Sequence, residues 1–99
     1  MPAYLIANIE VTDPATFEKY RAGVPAVIAQ YGGRYLIRGG RTETVEGDPD
    51  VQRLVVLEFP TREALRAFYD SPEYAPLLKL RTASSRSDVV LAEGYTPPA

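Results

Sequence analysis

The 99-residue chain has no cysteine, no histidine, no tryptophan and a single methionine. Without cysteine there is no disulfide, zinc–thiolate site, iron–sulfur cluster or thiol nucleophile. Without histidine the commonest general base, the usual haem ligand and most transition-metal sites are excluded. No metal and no cofactor is therefore expected. A basic surplus is also missing: eleven Lys and Arg stand against thirteen Asp and Glu, a net charge of −2. That excludes the basic footprint of a nucleic-acid binder. No apolar run approaches the ~18 residues of a membrane span. Met1-Pro2-Ala3 does not open a basic region followed by an apolar stretch. The expected location is the cytoplasm, with no membrane partner.

What is present is ordinary for a small globular chain: 45% hydrophobic and 24% charged residues. One domain is expected over residues 1–95, with a proline-rich tail at 96–99. Ala3, Leu5, Ala7, Ile9 and Val11 alternate along one face of a first strand, Ala3 to Val11. Its other face carries Tyr4, Ile6, Asn8 and Glu10. Asp13 and Pro14 are an N-cap and a first helical residue. Phe17, Tyr20, Val24, Val27, Ile28 and Tyr31 then form a stripe that stays in phase across Pro25. This predicts a helix kinked near Gly23-Val24 but continuous, closed by Gly32 as a left-handed cap. A second strand starts at Arg34 and extends as far as Glu46, with a bulge or close backbone approach at Gly39-Gly40. Gly47-Asp48-Pro49-Asp50 is turn chemistry, and a third strand covers Val51 to Phe59. Thr61 caps a second helix that buries Leu65, Phe68 and Tyr69. Ser71-Pro72 restarts it, with Tyr74, Leu77, Leu78 and Arg81 on the inner face. Thr82 to Ser87 reads as a polar loop before a fourth strand, Asp88 to Gly94.

The order β-α-β-β-α-β predicts an α+β, ferredoxin-like fold, an antiparallel sheet in the order 4-1-3-2 with both helices on one face. Strands one, three and four are apolar on both faces, whereas a one-sided sheet in water alternates apolar with polar. A second copy of the chain is expected to cover the bare face, making a homodimer packed sheet against sheet.

Several segments resemble a known family: Met1-Pro2-Ala3-Tyr4, Val11-Thr12-Asp13-Pro14, Gly32-Gly33-Arg34-Tyr35-Leu36 with Arg38-Gly39-Gly40, Leu57-Glu58-Phe59-Pro60 and Asp70-Ser71-Pro72-Glu73-Tyr74. Together they are similar to the family called domain of unknown function 1330, over nearly the whole chain. That family is itself similar to the dimeric α+β barrels, whose relatives include cofactor-free monooxygenases of antibiotic biosynthesis, muconolactone isomerases and haem-dependent chlorite dismutases. The resemblance implies a dimer with a ligand-sized cavity between sheet and helices, and no particular reaction.

The residues that carry chemistry are few. Arg34 and Arg38 share one face of the second strand, and arginine suits a carboxylate or phosphate. Arg38 beside Gly39-Gly40 is the candidate anchor for a small anionic ligand, with Tyr35, Tyr69 and Tyr74 as walls. The alternative is a plain ion pair of Arg38 with Glu58. Asn8 and Glu58 lie near the ends of the two central strands, expected to run parallel and so to be neighbours. Glu58 in a partly apolar setting is a candidate base; otherwise it pairs with Arg34 or Arg38. Ser71 has no histidine to activate it and is explained by its capping role. Two functional classes stay open on this sequence: a cofactor-free enzyme acting on a small acidic or phenolic metabolite, and a non-catalytic dimeric binding module.

Overall fold

The computed structural model describes residues 1–98, so residue 99 of the expected tail lies outside the described residues. The elements are β1 (Ala3–Val11), α1 (Pro14–Gln30), β2 (Arg34–Arg38), β3 (Leu54–Phe59), α2 (Arg62–Tyr69), α3 (Ala75–Ser84) and β4 (Ser85–Glu93). The sheet order is β2-β3-β1-β4, every pairing antiparallel. This is the ferredoxin-like α+β fold, with the expected order. No helix among the described residues is long and apolar enough to cross a membrane.

The local signals account for most element ends. Asp13 accepts from the Thr16 backbone N–H and hydroxyl and opens α1. The helix runs unbroken through Pro25 and ends before Gly32, whose φ of +83° is the left-handed cap. The Thr61 hydroxyl accepts from Ala64 N–H and opens α2. The Ser71 hydroxyl accepts from Tyr74 N–H, so it caps the turn Pro72–Tyr74 that leads into α3.

Four expectations are corrected. β2 stops at Arg38 instead of reaching toward Glu46, and β3 starts at Leu54 rather than Val51. The intervening residues 39–53 form no strand, although Gly39 N–H donates to Leu54 C=O and Ile9 N–H to Arg53 C=O at the two ends. Asn8 holds part of them, its amide donating to Asp50 C=O and accepting from Gln52 N–H. The bulge lies between Tyr35 and Ile37, not at Gly39-Gly40. Thr82 to Ser87 is no loop: α3 runs to Ser84 and β4 begins at the next residue. Here serine hydroxyls serve the last helical carbonyls, Ser84 that of Leu80 and Ser85 that of Arg81. Finally, β1 and β3 run antiparallel. The crossover through α1 makes β2 parallel to β1, and the return from β2 to β3 reverses direction.

The core lies on the helix side of the sheet. Ala3, Leu5, Ala7 and Ile9 from β1 and Leu57 and Phe59 from β3 pack under Phe17, Val24 and Ile28 of α1 and Leu65 and Phe68 of α2. A Cβ on Gly33 would stand 2.6 Å from the Phe59 ring and 2.9 Å from Ile28. Gly33→Ala is therefore expected to lower stability by ~1–3 kcal/mol through overpacking, read by urea denaturation. An unchanged midpoint would mean that the Phe59 ring yields freely.

The opposite face of the sheet carries no helix. Ile37, Val56, Ile6 and Val90 stand in register across all four strands there. Val90 is 57% and Ile37 38% exposed. The row of Arg34, Glu58, Tyr4 and Ala92 borders this band on one side, and Asn8 with Asp88 on the other.

Candidate functional site

A cavity of ≈ 40 Å³ lies between the helix-facing side of the sheet and the three helices. Its floor is apolar, made by Leu5 and Ala7 of β1, Val55 and Leu57 of β3 and Val89 of β4. Phe17, Val24 and Ile28 of α1 and Phe68 of α2 close the other side. Polar groups enter this apolar shell from the tyrosines Tyr20, Tyr35, Tyr69 and Tyr74 and the arginines Arg21, Arg38, Arg53 and Arg81. No carboxylate is among the lining residues.

The bulge decides which arginine of β2 reaches the cavity. Before it, Arg34 lies opposite Glu58 on the bare face. The extra residue shifts the alternation, so Tyr35 and Arg38 both lie on the helix side, opposite Leu57 and Val55. Arg34 and Arg38 thus do not share a face as expected. Arg34 takes Glu58 in an ion pair of 2.7 Å. The Arg38–Glu58 pair does not form; the Arg38 guanidinium instead stands 4.8 Å above the centre of the Tyr35 ring.

The group that approaches the backbone closely at Gly39 comes from the chain itself. Gly39 has φ +67°, and a Cβ there would meet the Arg53 guanidinium at 2.5 Å. The missing side chain lets Arg53 lie back toward the cavity, with its guanidinium 6.0 Å from the Phe17 ring centre. Deeper in, the Tyr20 and Tyr74 hydroxyls meet at 3.0 Å. Arg81 donates to the Tyr69 hydroxyl at 3.1 Å, and the Tyr69 and Tyr74 rings pack 5.4 Å apart.

Arg81 is only 6% exposed and has no carboxylate within ion-pair distance among the described residues. Burial works against its charge, but the Tyr74, Tyr20 and Tyr69 oxygens outweigh burial and hold its pKa above the usual value. A guanidinium cannot shed its proton in any case. Burial first, then the neighbouring Tyr74, pushes the Tyr20 hydroxyl far above its ordinary pKa. Burial likewise raises Tyr35, against the opposing pull of Arg38 and Arg53. Tyr20 and Tyr35 are thus hydrogen-bond donors near neutral pH, not bases.

Of the sequence-predicted residues, Tyr35, Arg38, Tyr69 and Tyr74 line one cavity. Asn8 and Glu58 do not. They sit at opposite ends of the antiparallel β1–β3 pair, Glu58 across from Tyr4 and Asn8 across from Leu54. The hydrogen bond from Arg34, then that from Tyr4, holds the Glu58 carboxyl below the usual carboxylate range, the reverse of a base with a raised pKa. Sequence reasoning missed Tyr20, Arg21, Arg53 and Arg81 as site residues. Tyr20 stands on the inward stripe of its helix and Arg81 is a charge on the apolar stripe of its own; Arg21 and Arg53 left no signal.

The family model for "Domain of unknown function (DUF1330)" matches residues 2–95. None of the curated proteins matches the chain. Among solved structures it is similar to the protein of unknown function RPA0582 from Rhodopseudomonas palustris, at 16% identity and TM-score 0.78, over 97% of this chain and 84% of that one. A dimeric ferredoxin-like protein of unknown function from Jannaschia sp. CCS1 is similar at 17% identity and TM-score 0.71, over 95% and 100%. SnoaB, a cofactor-independent oxygenase from Streptomyces nogalater, is similar at 20% identity and TM-score 0.65, over 97% and 95%. At these identities the likeness is one of fold.

Proposed function

We propose that this chain, which belongs to the DUF1330 family, is a homodimeric binding protein for a small anionic metabolite held between sheet and helices. One observation carries the reading: the buried Arg81, with Arg53 and Arg38, lines a largely apolar cavity and has no carboxylate partner among the described residues, whereas the fourth lining arginine, Arg21, pairs with Glu18 at 3.5 Å. A buried cation without a counter-ion is unfavourable, and a ligand carboxylate or phosphate restores neutrality through charge-assisted bonds. The aromatic faces under Arg38 and Arg53 hold those side chains flat without competing for an anion. The dimer rests on the register of Ile37, Val56, Ile6 and Val90 across the bare face, with polar rows at its margins. The similar Jannaschia protein is itself dimeric.

A second reading is catalytic. Whichever of the paired Tyr20 and Tyr74 hydroxyls accepts from the other keeps its own proton, and with Arg81 beside it supplies a donor for an oxyanion. The lining residues include no carboxylate or histidine to remove a proton. A substrate reacting here would have to be acidic enough to ionise on binding, as an enol or phenol is. SnoaB's cofactor-independent oxygenation sets a precedent for catalysis within this fold.

Isothermal calorimetry with acetate, propionate, benzoate and inorganic phosphate tests the binding function. At least one anion is expected to bind, and Arg38→Ala to bind it ~10-fold more weakly, the ~1.5 kcal/mol of one charge-assisted bond. Absence of binding by the native protein, or equal binding by both proteins, would overturn the anion site.

A further inference from the structure

Three of the four cavity arginines fall into two groups, the fourth, Arg21, being paired with Glu18. Arg81 is buried, projects from α3 and sits among Tyr69, Tyr74 and Tyr20. Arg38 is exposed on the edge strand β2, and Arg53, half-buried, precedes β3. Both lie over aromatic rings, Tyr35 and Phe17. Tyr20 and Tyr74, whose hydroxyls meet at 3.0 Å, adjoin both Arg81 and Tyr35. Tyr20 feels the charge of Arg81, whereas Tyr35 feels Arg38, Arg53 and Arg21. The floor between is aliphatic, Ala7, Val55 and Val89 in one register row.

Two anionic groups match this two-ended arrangement. Resting on the anion-binding reading above, we infer that the ligand is a short dianion, two carboxylate-like groups on an aliphatic spacer of a few carbons. Its inner carboxylate sits on Arg81 and the Tyr69 hydroxyl, its outer one on Arg53 and Arg38. Arg81 anchors the inner carboxylate, because its buried charge has no carboxylate partner among the described residues. Arg53 selects for the second charge, and Gly39 is the positioning residue that keeps Arg53 over the opening. The volume of ≈ 40 Å³ leaves no room for a bulky body between the two ends.

Calorimetry with matched pairs tests this: propionate against succinate, butyrate against glutarate, and inorganic phosphate as a dianion with both charges at one centre. A dicarboxylate is expected to bind at least 10-fold more tightly than its monocarboxylate partner. Arg53→Gln is expected to reduce that preference to less than about 3-fold, weakening dicarboxylates far more than monocarboxylates. Arg81→Gln is expected to weaken both classes at least 10-fold. Tyr69→Phe, which keeps the ring, is the milder probe of the inner end if Arg81→Gln does not fold, with both classes again weakened. Equal binding of mono- and dicarboxylates, with Arg38→Ala still weakening both, would overturn the dianion and leave the anion site standing. Phosphate binding as tightly as the best dicarboxylate would overturn the two-ended arrangement. Binding of no anion at all would overturn both readings.

Discussion

Val56→Asp is expected to turn the proposed dimer into a monomer while the chain stays folded. Val56 sits at the centre of the apolar band on the bare sheet face, between Ile6 and Ile37. In a monomer an Asp there faces water and the fold tolerates it. In a dimer packed sheet against sheet, the carboxylate would be buried against a second apolar band without a partner. An unpaired buried charge costs several kcal/mol, and each 1.4 kcal/mol is tenfold in the dissociation constant. The weakening is therefore expected to reach ~10³-fold or more. Sedimentation at micromolar concentration should report twice the 10.9 kDa chain mass for the native protein and the single mass for the variant. Circular dichroism should be nearly unchanged. Leu57→Asp, one residue along and 4% exposed on the helix side, is expected to unfold the chain instead. A Val56→Asp variant that remains dimeric would rule out this face as the interface.

The second large effect is on stability. Phe68 is 1% exposed and links the two ends of the helical layer. Its ring lies 5.1 Å from Phe59, 4.6 Å from Tyr74 and 6.4 Å from Tyr31. Phe68→Ala removes all three contacts and leaves a void beside the cavity that it lines. Such truncations cost ~3–5 kcal/mol, a large part of the ~5–15 kcal/mol that holds a domain together. For a chain of this size the melting temperature should fall by ~15 °C or more. A loss below ~1 kcal/mol in urea denaturation would mean that α2 and Tyr74 collapse into the space, and that this part of the core is loosely packed.

Much of the fold was legible because its signals are local. β1 alternates strictly, and its observed span is the one that the alternation predicts. Asp13-Pro14, Thr61 and Ser71 carry their capping partners three residues on, so the starts of α1 and α2 and the turn before α3 follow from chain-neighbour chemistry. The strand order also follows from element order, because crossovers are right-handed. The apolar residues at both faces of the strands, which motivate the homodimer, are equally visible in the sequence.

The candidate site was legible only in part. Tyr35, Arg38, Tyr69 and Tyr74 come from three elements, yet each sits on a helix-facing position that periodicity or the nearby glycines single out. Tyr20 stands on the apolar stripe of α1, where periodicity marks it as core; Arg53 and Arg21 carry no mark, because what makes them site residues is where β2 and the residues after it go. The bulge between Tyr35 and Ile37 is one extra residue. It sends Arg34 to Glu58 on the outer face and Arg38 to the cavity, an outcome that a uniform period of two assigns wrongly. The sequence by itself determined the element types, the caps, the sheet order and the residues available for chemistry, because those depend on near neighbours and on composition. Only long-range packing brings Arg38, Arg53 and Arg81 to one cavity with no carboxylate partner among the described residues, and sets Glu58 and Asn8 apart. Convergence of charges from α1, β2, the segment before β3 and α3 is a long-range packing outcome, set by strand direction and one shifted register.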